Sequence, residues 1–277
     1  EVRAVIQGCD ERGHTESSRR NVEARQGAQH GLFGYGHADF LLGLYLLIAG
    51  LALKICIADT VAQFVDIGFE DPAGLGTATA WLTLYGFAAQ ILCDFWGYST
   101  VAIGIGLMYG IKLPVNFRMP YLAASAREFW HRWHITLSEW LRDYLYIPLG
   151  GNRKSQNRNL FLTMVLGGLW HGASWNFIFW GAGHGILLVA ERHLPSLGRD
   201  TKYGRWLHVI LFFHLVCLLW VFFRAETLTS AIAFFDALIL PPFSLKDSPP
   251  DALVTILIGF VVFVSLLGPS LSDRRYL

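Results

Sequence analysis

Apolar runs close in length to a bilayer crossing recur along this chain and limit what it can fold into. They cover residues 40–57, 77–93, 98–113, 160–190, 207–223, 228–240 and 252–267. A transmembrane helix needs about 20 predominantly apolar residues, so a chain with this many runs reads as a membrane protein. Composition agrees: 53% of residues are hydrophobic, only 16% are charged, and the mean hydropathy is +0.41. A soluble domain carries about 25% charge. The expected fold is all-α, a polytopic membrane helical bundle of six to eight segments. A net charge of +1 supplies no basic field for nucleic acid. Cys9, Cys56, Cys93 and Cys217 are scattered, without a CxxC pair or metal spacing, and read as small buried hydrophobes.

Taken in order, residues 1–38 form a polar lead of mixed charge, either disordered or outside the membrane, and residues 39–277 form the membrane domain. The lead lacks the apolar core of a signal peptide. Lys54 is the one charge in the first run and is expected to snorkel from near a helix end. Asp94 to Gly97 is expected to separate the second and third spans. Gly106 and Gly110, four apart, suggest close helix contact in lipid. Pro114 and Pro120 then interrupt the chain.

The polar, ionisable residues concentrate between Ser125 and Asn176. Ser125 followed by Glu128 is a capping-box pattern and predicts a helix start. Over 125–146, Trp130, Trp133, His134, Leu137, Leu141, Tyr144 and Leu145 share one helical face, with Glu128, Arg132, Glu139 and Asp143 opposite. That pattern predicts an amphipathic helix at, or dipping into, the membrane interface. Basic loops follow at 152–159 and 192–205, and such loops tend to stay cytoplasmic. The segment between them must then enter and return on one side, breaking at His171–Asn176. Its first arm, 160–170, is roughly 16 Å long at about 1.5 Å per residue, about half of a roughly 30 Å hydrocarbon core. His171 is therefore expected near mid-membrane, at the turn of a re-entrant or broken hairpin. Irregular backbone at that depth survives only when buried in protein or lining a wet cavity.

An ionisable residue inside a membrane is a functional candidate by default. A neutral imidazole can take a proton from a hydroxyl, so His171 suits a general base; the alternative is a histidine bonded to a carbonyl where the helix breaks. His134 adds a second group able to orient base or substrate. His131 falls to the side of its helix, and His184 faces either the same cavity or a packed helix contact. Metal ligation by His131, His134, His171 and His184 lacks a recognisable spacing, and no GxSxG supports a serine hydrolase. Arg127, Arg132 and Arg142, with the 153–158 loop, either receive a phosphate or anchor a cytoplasmic loop. Three functions stay open at this level: an acyl-transfer enzyme, a transporter relaying protons through its histidines, and an inactive scaffold.

CDFWGYSTVAIGIGLMYG, the NF..PY pattern at 116–121, FWHRWHITLSEWLRDYLYIPLGGNR and GGLWHGASWNFIFWGAGHG resemble the membrane-bound O-acyltransferases. Within them the likeness is to the branch that O-acetylates alginate and related exopolysaccharides, with the D-alanyl transfer protein of teichoic acid modification as a relative. It runs from about residue 40 to near 240. The resemblance implies that His171 and His134 are the catalytic pair, and that Trp170, Arg142, Asp143, Asn152 and His184 lie at the substrate. It implies no bound cofactor or metal, and an acyl donor such as acetyl-CoA or a phosphopantetheine thioester on a carrier. The implied partners are an exported polysaccharide or secreted acetyltransferase proteins, at the bacterial inner membrane. The family usually begins with several more membrane helices, which residues 1–30 do not resemble. Trp96 and Thr100 replace a common serine and aspartate, and Leu107 stands where arginine is frequent.

Overall fold

The computed structural model describes residues 37–194 and 201–239, which form helices and turns with no strand among them. Helix α1 (His37–Ala52) runs through a π-helical turn at Leu53–Ala58 into α2 (Asp59–Glu70), giving a continuous apolar helix from Asp39 to Glu70. The first run thus extends well beyond residue 57, and the last two residues of the expected polar lead lie in α1. Lys54 sits mid-helix rather than at an end. It does not snorkel; its ammonium bridges Asp59 and Asp94, each at 2.7 Å.

Helix α3 (Thr77–Met108) is 32 residues long, so the two spans expected at 77–93 and 98–113 are one. Asp94 does not break it because Lys54 answers its charge. Gly97 does not break it because lateral contact fixes its backbone. A Cβ on Gly97 would fall 2.8 Å from the Gly50 carbonyl, and one on Gly43 would fall 2.6 Å from the Gly104 carbonyl. Small-residue contact is therefore the right mechanism, at Gly43, Gly50, Gly97 and Gly104. Gly106 and Gly110 serve the turn after α3: Ile111 N–H donates to the Gly106 carbonyl at 2.7 Å, and Gly110 has φ +75°.

The single helix expected over 125–146 is interrupted. Helix α4 (Ala126–Trp130) stops, the chain bends through 131–134, and α5 (Ile135–Leu141) continues into a π-helical turn at Arg142–Tyr146. Nor does α4 lie flat on an interface: Phe129 and Trp133 are 1% and 4% exposed. Their rings stack on one another at 5.6 Å, and Trp133 meets Trp220 at 5.0 Å. Of the side chains that read as one face of an interfacial helix, Trp133 and Leu141 enter the bundle, while Tyr144 stays 70% exposed.

The hairpin expected around residues 171–176 forms, from α6 (Gln156–His171) and α7 (Trp175–His193). Any Cβ on Gly168 would collide with the Phe177 carbonyl, and one on Gly181 with the Met164 carbonyl. The two backbones touch. At the open end Arg192 and His193 both engage Asn157, so the arms begin and finish on the same side. Helix α8 (Lys202–Arg224) starts at that end too, where Arg205 reaches Glu128 at 2.8 Å. Helix α9 (Leu228–Ile239) then packs back, with Phe234 stacked on Phe69 at 4.2 Å.

Among the described residues three helices are long and apolar enough to cross a membrane: Asp39–Glu70, Thr77–Met108 and Lys202–Arg224. Of the other expected runs, two merge into α3, 160–190 forms the expected hairpin and 228–240 forms the twelve-residue α9. The run at 252–267 and the loop before it lie outside the described residues, as do residues 1–36.

The α6–α7 contact generates a prediction. Apolar rings gain little by moving from lipid into the bundle, so close packing supplies the attraction between helices. Gly181→Val inserts a branched side chain where α7 meets the Met164 carbonyl, and it should destabilise by about 1–3 kcal/mol. Thermal unfolding of the detergent-solubilised protein, followed by tryptophan fluorescence, measures the loss.

Candidate functional site

Two polar turns converge within this frame. The first is the interruption between α4 and α5. As the sequence predicts, Ser125 caps α4, its hydroxyl accepting from the Glu128 N–H at 3.2 Å. Glu128 reaches back to the Ala124 N–H at 2.8 Å, completing a variant of the capping box. Its other oxygen accepts from Arg132 at 2.7 Å and from Arg205 at 2.8 Å. One carboxylate therefore ties the start of α4, the bend and the start of α8 together.

Past α4, His134 takes φ +41° and ψ +57°. A non-glycine residue in this left-handed region carries strain of about 1–3 kcal/mol, and such strain concentrates at functional sites. The conformation frees the imidazole from the run of α5, and its ring meets Phe95 edge-on at 4.6 Å. Its Nδ1 is buried with no hydrogen-bond partner among the described residues. Burial first, and the nearby His171 second, keep the His134 imidazole neutral. Rings link the two expected catalytic histidines: Trp133, the residue before His134, meets Trp220 at 5.0 Å, and Trp180, stacked on Trp220 at 6.0 Å, meets His171 at 5.2 Å.

The second turn carries His171, the last residue of α6. Gly172 is extended, and Ser174 caps α7 by accepting from the Asn176 N–H at 3.3 Å. Trp170, Trp180 and Phe223 present their rings to His171 at 5.0, 5.2 and 5.1 Å. The half-buried imidazole makes no hydrogen bond among the described residues, which leaves it free to engage another group. Asn176 donates to the Ala225 carbonyl at 2.6 Å, tying the turn to the residue after α8. Helix α6 begins at Gln156, so its 16 residues span about 24 Å. His171 lies beside Phe223, in the last turn of α8.

Leu141 brings α5 to the hairpin; a Cβ on Gly167, one turn before His171, would stand 3.2 Å from its Cδ1. Trp170 is 60% exposed beside His171. The other residues expected at the substrate make contacts of their own. Arg142 pairs with its neighbour Asp143 in a bidentate contact of 2.7 and 3.0 Å, both half exposed. Asn152 accepts from Tyr146 at 2.7 Å and from Gln156, joining the π-helical turn to the start of α6. His184 is fully buried, stacked on Phe129 and edge-on to Trp130 and Trp180, with both ring nitrogens unpartnered among the described residues. It lies in the aromatic core, the packed one of the two placements open to it. Among the described residues no three His, Cys, Asp or Glu side chains group so as to hold a metal ion.

The sequence reading gave no chemistry to Asn116, Phe95 or Asn176, which set these turns. Asn116 follows Pro114 in a stretch without helical period, and that was the available signal. Trp96 and Thr100, which depart from the common pattern, face the packed interior of α3, where Thr100 donates to the Trp96 carbonyl at 2.7 Å.

Known proteins share much of this sequence. The sequence model of the MBOAT, membrane-bound O-acyltransferase family matches residues 17–232. This chain belongs to that family. Among curated proteins it is similar to the peptidoglycan O-acetyltransferase of Helicobacter pylori, 45% identical over 71% of this chain and 38% of the relative. It is similar to the probable alginate O-acetylase AlgI of Pseudomonas putida, 48% identical over 72% of this chain and 41% of the relative. The teichoic acid D-alanyltransferase of Bacillus subtilis is more distant, 30% identical over 65% of this chain and 50% of that protein. The chain thus spans about two fifths of the length of the two O-acetyl transfer relatives.

The Glu128 junction has a defined pH response. Burial opposes its ionisation, but Arg205, the Ala124 N–H and Arg132 together hold its carboxyl below the usual carboxylate range. A lowered folded pKa adds stability above the unfolded value of about 4.3, and that stability disappears as pH falls through the folded value. The melting midpoint should therefore drop on acidification from about pH 5 downwards, and Glu128→Gln should flatten that drop. Thermal melts across pH, in detergent, check it.

Proposed function

We propose that this chain carries the acyl-transfer core of a bacterial O-acyltransferase that moves an acetyl group from a cytoplasmic thioester to hydroxyls of an exported polysaccharide. The observation that carries this reading is that the bend holding His134 and the turn holding His171 meet one aromatic cluster, Trp133 on Trp220, Trp220 on Trp180 and Trp180 on His171. The family and the O-acetyl transfer named for both relatives support the reaction class and the acceptor class.

The geometry suits an ordered transfer. Arg153, Lys154, Arg158, Arg192 and Arg205 cluster at the open end of the hairpin, and basic ends stay cytoplasmic. A multi-pass inner-membrane protein with that end inward takes up the donor there, acetyl-CoA or the phosphopantetheine thioester of a carrier. His171 lies towards the opposite side, where an exported polymer or a secreted acetyltransferase partner arrives. His171 accepts the proton of the acceptor hydroxyl as its oxygen attacks the thioester carbonyl. The C–O bond forms, the C–S bond breaks, and the imidazolium returns the proton to the leaving thiolate. His134 orients the acyl group or the acceptor. Trp170 covers the reacting centre, and Arg142, Asp143 and Asn152 border the donor entry. The fully enclosed His184 supports the pair from behind through Trp180.

Removing a general base lowers rate by about 10²–10⁴-fold. Polymer O-acetyl content in cells carrying His171→Ala in the chromosomal gene should fall to background, and full retention would sink the assignment. His134→Ala should also reduce it; wild-type acetylation there leaves a single-base mechanism. The likeness to the teichoic acid protein favours D-alanyl transfer as the second reading. D-alanine esters on the polymer in place of acetate would establish it.

A further inference from the structure

We infer that Asn116 is the positioning residue that holds His134 in its left-handed conformation and thereby aims its imidazole; this rests on the role proposed for His134. His134 has no glycine's freedom, and its own side chain makes no cap bond to α5. Something else must retain the conformation, and the bonds around the bend converge on one residue. The Asn116 carbonyl accepts from the Ile135 N–H at 3.0 Å. Its side-chain oxygen accepts from the Thr136 hydroxyl at 2.7 Å and from the Thr136 N–H at 3.3 Å. The two N–H groups that follow His134, unpaired at any helix start, are thus both captured by Asn116.

The same residue reaches the opposite wall. Its side-chain nitrogen donates to the Ser99 hydroxyl at 3.3 Å. Ser99 is one turn along α3 from Phe95, whose ring meets the His134 imidazole. Asn116 therefore joins the backbone of His134 to the helix that supplies the imidazole's aromatic neighbour. Arg118 extends the clamp: its N–H donates to the Arg132 carbonyl at 2.9 Å, and the Arg132 guanidinium donates to the Arg118 carbonyl at 3.1 Å. These bonds pair 116–118 with 132–135 in antiparallel sense, leaving Trp133 and His134 opposite Phe117 alone. One residue is surplus in that register, and the surplus residue is thrown into the left-handed region, as in a bulge.

An asparagine suits this task where other residues do not. It offers an acceptor to Thr136 and a donor to Ser99 from one planar group. Aspartate keeps the acceptor and loses the donor; leucine loses both. Misplacing a catalytic group by about 1 Å lowers rate by about 100-fold.

The test uses the full-length protein in detergent with two readouts. In acyl-transfer assays, Asn116→Leu should reduce kcat to the level of His134→Ala, with the donor KM within about threefold of wild type. Asn116→Asp should retain substantially more turnover than Asn116→Leu. In thermal melts, Asn116→Leu should lower the midpoint markedly in the wild-type background and much less in the His134→Gly background, because glycine takes the left-handed conformation without strain. Equal midpoint losses in both backgrounds, or Asn116→Leu turnover within twofold of wild type while His134→Ala is impaired, would overturn the inference. Full activity of His134→Ala instead defeats the proposed role of His134, and the melting comparison still decides whether Asn116 holds the bend.

Discussion

Backbone contact between helices through glycine is the interaction on which the rest of this structure depends. In lipid, transferring an apolar side chain from tails to protein releases little free energy, so helices associate by close packing and by satisfying polar groups. Gly43 and Gly50 against Gly104 and Gly97 join α1 to α3, and Gly168 against the α7 backbone with Gly181 against α6 close the hairpin. Without the second contact the two arms could not lie side by side, and the His171 turn would have no fixed place.

Polar bonds then locate the turns that packing alone leaves undetermined. Asn176 ties the hairpin turn to the end of α8, and Arg224 bridges to Asp66 at 2.5 Å beyond it. Glu128 joins three chain segments at the opposite end. Between these anchors lies a dense aromatic interior, in which Trp180 meets His171 on one side and His184 on the other. Rings of this kind are stiff, so the position of the imidazole at residue 171 is determined by neighbours that themselves have little freedom.

Legibility from sequence followed the range of the interactions involved. The hairpin was readable because local features define it: two apolar arms, a polar break and basic flanks. The start of α4 was readable because Ser125 and Glu128 are three residues apart. The continuity of α3 was not, because Asp94 becomes compatible with a helix interior only when Lys54, 40 positions earlier, bridges it. The break at His134 was equally hidden. The periodicity of 125–146 is that of one amphipathic helix, and the competing bonds come from Asn116 and Arg118.

The sequence by itself determined a helical membrane protein, the candidate pair His134 and His171, and a re-entrant turn carrying one of them. Hydropathy, charge placement and short motifs encode these locally, and the family likeness rests on the same residues. Only the tertiary structure decided that α4 turns into the bundle instead of lying on its surface. It also decided that His171 lies near the far end of α8, that His184 is enclosed by aromatic rings, and that a strained backbone presents His134. Each of these depends on which groups meet across long separations in the chain, where helix contact and hydrogen-bond satisfaction outweigh local preference.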